Sequence, residues 1–301
     1  MLSSLRGEDP RLRAGGAQIA LVGCFLTPHP PIMVPDVGGA ELRTVESTVR
    51  AMREVRRKAA ALHPDTVVLL SPHAPLLAHR MGVSLASSYE GTLAYFGAPN
   101  VVVEAEADEA LARQILARAA ERELPASATV SAGDTLDLDH GSMVPLVYLF
   151  GDMENPCRLV VLSFSYLDLQ AHVAFGTVVG EAMLEAKHRM LYVASSDLSH
   201  RLKPGAPAGF DPRGAEFDQL VADHFTAGDW RGLLAIDPTL VAAAGECGYR
   251  SLAVLSGVVA AAQAAGLETN NHLLSYEGPF GVGYLVGEVE IAGEAATETK
   301  E

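Results

Sequence analysis

The sequence has 301 residues, 49% of them apolar, and a formal net charge of −15. That length supports a large core, and no linker or charge block divides it, so one α/β domain is expected. The acidic balance argues against nucleic acid, whose binding rests on Lys and Arg neutralising phosphates. Three cysteines, Cys24, Cys157 and Cys247, do not form a disulfide framework and fit a reducing cytoplasm. No run of about 18 apolar residues is present to span a membrane.

Residues 1–17 lack an apolar h-region and read as a loose tail rather than a signal peptide. Ile19–Leu26 reads as a buried strand. In Glu41–Ala61 the residues Leu42, Val45, Val49, Met52, Val55 and Ala59 recur at steps of three and four, which predicts an amphipathic helix. Thr66–Leu70, "TVVLL", is a continuous apolar run of the kind found in a strand covered on both faces. A strand at Asn100–Glu104, a helix over Asp108–Arg122, a helix after Gly141, a strand at Arg158–Phe164, a helix over Leu167–Lys187 and a strand at Met190–Ala194 continue the alternation. Helices are then expected near Ala215–Thr226, Asp229–Ile236 and Tyr249–Ala265, and strands at Leu273–Ser275 and Val282–Ile291. The expected architecture is a single α/β domain over residues 18–291, with a mostly parallel or mixed central sheet sandwiched by helices. Residues 292–301 read as a second disordered tail.

Three histidines sit just past the ends of apolar strands: His29 in "LTPHPPIMVPDVG", His73 in "SPHAP" and His200 in "SSDLSH". Ligands of open α/β sheets bind outside strand ends of this kind, so three imidazoles there can converge. Flanking prolines fix φ around His29 and His73 and restrict where each ring points. His140, in "LDHG", opens a helix and is a fourth candidate. In the SSD and LDH turns the alternative is that the residue at work is the helix-capping Asp197 or Asp139. Imidazole serves both metal ligation and proton transfer near neutral pH.

Two histidines and a carboxylate form the facial triad that holds non-haem Fe(II). Glu246, in "AGECGYR", is the leading carboxylate, though a helix N-terminus favours an acidic residue for its own reasons. Cys247 rivals it as a thiolate ligand, and Glu277 in "SYEGPFG" is a third candidate. The sequence lacks G-x-G-x-x-G after the first strand, a P-loop, a G-x-S-x-G elbow, a C-x-x-C pair and an H-E-x-x-H helix.

The blocks "PHPPIMVPDVG", "SPHAP", "LDHGSMVPL", "SSDLSH", "GFDPRGAEFD", "ECGYRS" and "SYEGPFGVGY", in this order, resemble the class III extradiol ring-cleaving dioxygenase catalytic subunits (LigB-like). The likeness covers about residues 18–290 and is nearest to the dioxygenase-like domain of AmmeMemoRadiSam system proteins, which is related to the Memo proteins. The resemblance implies His29 and His73 as metal ligands, with His140 and His200 as the acid and base beside the metal. Glu246 is the best match for the metal carboxylate, while Cys247-Gly248 is similar to the cysteine-glycine pair of Memo-type proteins. Fe(II) or another divalent metal, an aromatic diol substrate and O₂ are implied. So is a homo-oligomer or a small second subunit. A metal-binding component without ring cleavage is the alternative, and a hydrolase or lyase using the ion as a Lewis acid is a third class.

Overall fold

The structure is a computed structural model. It describes residues 19–151, 153 and 157–293. The expected tails lie outside these residues except for Ala292 and Gly293, and Ala292 ends a strand. In chain order the strands are β1 (Leu21–Thr27), β2 (Thr66–Leu70), β3 (Met81–Ser84), β4 (Ser88–Leu93), β5 (Ala98–Glu106), β6 (Ala126–Val130), β7 (Thr135–Asp137), β8 (Arg158–Ser163), β9 (Met190–Ser195), β10 (Glu268–Glu277) and β11 (Tyr284–Ala292). The helices are α1 (Pro35–Gly38), α2 (Glu46–Leu62), α3 (Glu109–Glu121), α4 (His140–Phe150), α5 (Leu169–Leu184), α6 (Arg213–Ala227), α7 (Trp230–Leu234), α8 (Pro238–Ala244) and α9 (Tyr249–Ala264).

The main sheet has the order β10-β11-β1-β9-β2-β8-β3-β6. β1, β9, β2 and β8 run parallel at its centre, where continuous apolar runs are covered on both faces. β11 joins β1 antiparallel, and β3 joins β8 antiparallel, so the sheet is mixed. One core lies between this sheet and α3, α5, α6 and α9. The other lies under α2, α4 and a small second sheet. This is the expected sandwich, and no helix among the described residues is long and apolar enough to cross a membrane.

The second sheet departs from expectation. β4 pairs antiparallel with β5 and parallel with β7, so the strand expected at Asn100–Glu104 belongs to this small sheet and not to the central one. A Cβ at Gly91 would lie 2.6 Å from the Met143 sulfur, so glycine there lets β4 settle against α4. The helix expected from Glu41 begins at Glu46, and short 3₁₀ turns and α1 fill Pro31–Val45. α5 and α9 pack backbone to backbone. A Cβ at Gly176 would stand 2.0 Å from the Val254 carbonyl oxygen, and one at Gly257 would stand 2.1 Å from that of Val173.

Candidate metal centre

The parallel strands β1, β2 and β9 end on one edge of the sheet, and the residues just beyond them meet there. His29 follows β1, His73 follows β2, Asp197 and His200 follow β9, and His140 is the first residue of α4. One ring nitrogen from each of His29, His73 and His140 lies within 4.8 Å of the others. The ring centroids are 4.9 Å apart for His29 and His73, 5.7 Å for His29 and His140, and 4.3 Å for His73 and His140.

Hydrogen bonding fixes which nitrogen of His29 carries its proton. The Ser195 hydroxyl donates its single proton to the Gly141 carbonyl at 2.6 Å. It must therefore accept at its other contact, 2.9 Å from His29 Nδ1. That leaves the proton on Nδ1 and a lone pair on Nε2, the arrangement a partnered metal-binding histidine adopts. Nε2 faces His73 Nε2 at 3.2 Å. Burial holds the His29 pKa well below the ordinary range, and His73, His140 and His200 press it further down. The backbone N–H of His29 donates to Asp197 Oδ1 at 2.9 Å, and burial raises the Asp197 carboxyl to about 7.

A second set of bonds ties His73 to His140. Asp139 caps α4 by accepting the Ser142 amide at 3.0 Å, and it also accepts the Ser142 hydroxyl at 2.8 Å and the Ser71 hydroxyl at 2.6 Å. The exit of β2 is thereby fastened to the start of α4. A Cβ at Gly141 would lie 2.6 Å from Ser71 Oγ and 3.0 Å from the His73 ring, so the approach requires glycine. Burial lowers the pKa of both His73 and His140, and Asp139 works against that shift in each.

His200 stands close enough for its charge to act on His29 and His73. Its amide donates to the Ala244 carbonyl at 3.1 Å. Its Nδ1 is buried without a hydrogen bond of good geometry, although the Leu198 and Gly245 backbone lies near. Burial lowers its pKa. Cys247 Sγ is 3.6 Å from His29 Nε2 and 3.8 Å from the Asp197 carbonyl, and burial raises its pKa and keeps it a thiol.

Glu246, expected as the metal carboxylate, is not part of this group. Its Oε2 accepts the Tyr249 amide at 2.5 Å in the first turn of α9, and its side chain lines a separate cavity. The helix-terminus preference for a carboxylate is the physical reason for that placement. Glu277 is also engaged elsewhere, accepting the amide and the hydroxyl of Thr48 at 2.7 and 2.5 Å in the first turn of α2. Sequence reasoning missed Ser195, which reads only as the end of a strand. It weighed Asp139 and Asp197 as helix caps, and Asp139 is both a cap and the tie between two histidines.

A buried, neutral imidazole with its lone pair facing two more imidazoles and a thiol is a donor set that suits a divalent transition metal. The fold is shared with the crystal structure of an uncharacterised Escherichia coli K12 protein, JW3007. The match has a TM-score of 0.61 and 18% identity over 89% of this chain and 99% of that one. Residues 23–287 match the family described as the catalytic LigB subunit of aromatic ring-opening dioxygenase, and the chain belongs to that family. Protein CA_C1420 of Clostridium acetobutylicum is 32% identical over 94% of this chain and 60% of its own length. A Mycobacterium ulcerans 2,3-dihydroxyphenylpropionate/2,3-dihydroxicinnamic acid 1,2-dioxygenase is 26% identical over 60% of this chain and 57% of its own length. The chain thus spans under two thirds of the length of these relatives.

Proposed function

We propose that the chain is a non-haem Fe(II)-dependent extradiol-type dioxygenase that opens a catechol-type ring with O₂, with His29, His73 and His140 holding the ion. The observation that carries this reading is the lone pair of His29 Nε2, fixed by Ser195 and aimed into a three-imidazole group, in a member of the LigB family. When bound, the iron would supply open positions at which a vicinal diol and O₂ meet on one ion. His140 moves from proton transfer to ligation in this reading, and Glu246 leaves the ligand set.

His200 is then the remaining acid–base residue. Burial keeps its imidazole neutral at neutral pH, ready to take a phenolic proton and later return it to a developing oxygen anion. General acid–base help of this kind contributes about 10²–10⁴-fold. A cavity of about 710 Å³ adjoins His140, with Phe96, Val102 and Leu138 among its walls. The Phe96 ring lies 5.7 Å from that of His140 and offers a surface for an aromatic substrate.

A second reading is a metal-binding component without ring cleavage, of the kind found in AmmeMemoRadiSam and Memo-like systems. The 3.6 Å contact between Cys247 Sγ and His29 Nε2 favours it, because a thiolate donor changes metal preference. Anaerobic Fe(II) titration with metal analysis, followed by O₂ uptake on a catechol panel, separates the two. Stoichiometric iron that His29→Ala abolishes and Glu246→Gln preserves is expected, with His200→Ala keeping iron and losing O₂ uptake. Unchanged iron in His29→Ala would sink the site. Iron without O₂ uptake on any catechol would leave the second reading.

A further inference from the structure

Beside the histidine group lies a cavity that the proposed chemistry does not use. It has a volume of about 640 Å³ and is bounded by the starts of α5 and α9 and by α7 and α8. Leu167, Leu234, Ile236 and Val241 supply apolar wall, and none of the four clustered histidines lines it. Small-molecule sites have this character, with volumes of about 300–1,000 Å³, apolar walls and a few placed polar groups.

The polar group placed here is Arg250. Its guanidinium carbon lies 5.8 Å from the ring centroids of both Phe164 and Tyr166. Its Nε is buried with no hydrogen-bond partner. The two acidic side chains on the wall are engaged elsewhere, since Asp168 accepts the Ala171 amide at 2.8 Å and Glu246 accepts that of Tyr249 at 2.5 Å. Arg250 is near enough to Glu246 for their charges to interact, yet no ion pair joins them among the described residues. A half-buried guanidinium of fixed charge and planar geometry thus lines this largely apolar chamber with its buried Nε left without an acceptor.

We propose that this cavity binds a monocarboxylate with an apolar body, its carboxylate on the Arg250 guanidinium and its body against Leu167, Leu234, Ile236 and Val241. The guanidinium fork matches a carboxylate in shape and hydrogen-bond direction. The occupant carries a single charge, because one cation beside two acidic side chains does not balance a dianion such as a phosphate monoester. The site is distinct from the histidine group, to which it is joined by the His200 amide on the Ala244 carbonyl at the end of α8 and by the segment of residues 245–250.

Isothermal titration of the full chain with octanoate and with phenylpropionate tests this, run in EDTA and again after Fe(II) loading. Saturable binding of at least one acid, unchanged by the metal, is expected, and the choice between the two acids tells an aliphatic from an aromatic occupant. The matching amides should bind about tenfold more weakly, and Arg250→Gln should lower acid affinity by about the same factor. Val241→Trp, which fills the chamber, should abolish binding. Binding of neither acid, equal binding of acid and amide, binding that requires the metal, or an acid affinity unmoved by Arg250→Gln each overturns the proposal. Should Arg250→Gln fail to fold, the comparison of acid with amide on the unaltered chain decides alone.

Discussion

Replacing Ser195 with alanine tests the contact that orients His29. The hydroxyl makes two buried bonds, accepting from His29 Nδ1 at 2.9 Å and donating to the Gly141 carbonyl at 2.6 Å. Ser195→Ala removes both and leaves an N–H and a C=O without partners in a region where Ser195 itself is 0% exposed. An unsatisfied buried group costs about 1–3 kcal/mol, so the two left here set a loss of about 2–6 kcal/mol. Metal affinity should fall as well, because His29 without its acceptor is free to carry the proton on Nε2, where the lone pair is needed. Loss of such an outer partner typically costs about 10–100-fold in affinity. Urea unfolding gives the stability change, anaerobic iron titration gives the affinity, and ¹⁵N shifts of the imidazole report the tautomer. A variant that binds iron like the parent, with His29 still protonated at Nδ1, would refute the assignment.

Two further outcomes are expected. Gly176→Ala drives a methyl group toward the Val254 carbonyl and should lower stability by about 1–3 kcal/mol or more, seen as a reduced urea midpoint. Burial raises the Asp218 carboxyl to about 7, while the Tyr276 hydroxyl and the Ser199 amide pull it back. A carboxyl raised above its unfolded value stabilises the fold fully at acid pH, and that contribution is lost as pH rises through about 7. Three units at about 1.4 kcal/mol each set an upper bound of about 4 kcal/mol. The buried histidines bend the curve the other way, since their lowered pKa values give stability that is lost as pH falls below about 6.5. Comparing parent and Asp218→Asn from pH 5 to 8 isolates Asp218, as the histidines affect both chains alike. Parallel curves would count against the raised pKa.

The central strands were legible because each is a continuous apolar run, and His29 and His73 because prolines frame them locally. In the small sheet only β5 was, because β4 and β5 leave Glu90, Thr92, Val102 and Glu104 exposed and their buried sides are short. The choice between Glu246 and Cys247 was beyond the sequence for another reason. They are neighbours, and which one faces His29 depends on the backbone around Gly245, at φ 62°, and Gly248, where a Cβ would lie 1.9 Å from Ser196 Oγ. No periodic pattern records such a turn. His140 was visible as a candidate, but its role depends on how far Asp139 and Ser71 draw α4 toward β2, which is a tertiary fact.

The bonds that hold His29 join residues far apart along the chain, 166 positions to Ser195 and 168 to Asp197. In an unfolded chain these groups are dispersed, so an ion has no ready-made seat on which to nucleate the structure. An ion held there as proposed would be captured late, after slow long-range pairing has closed the sheet. Binding to the folded form alone then draws the folding equilibrium forward by RT ln(1 + [M]/Kd). Metal bound as proposed would make chelation and unfolding two ends of one equilibrium, and the melting temperature of this chain should then track the free metal concentration around it.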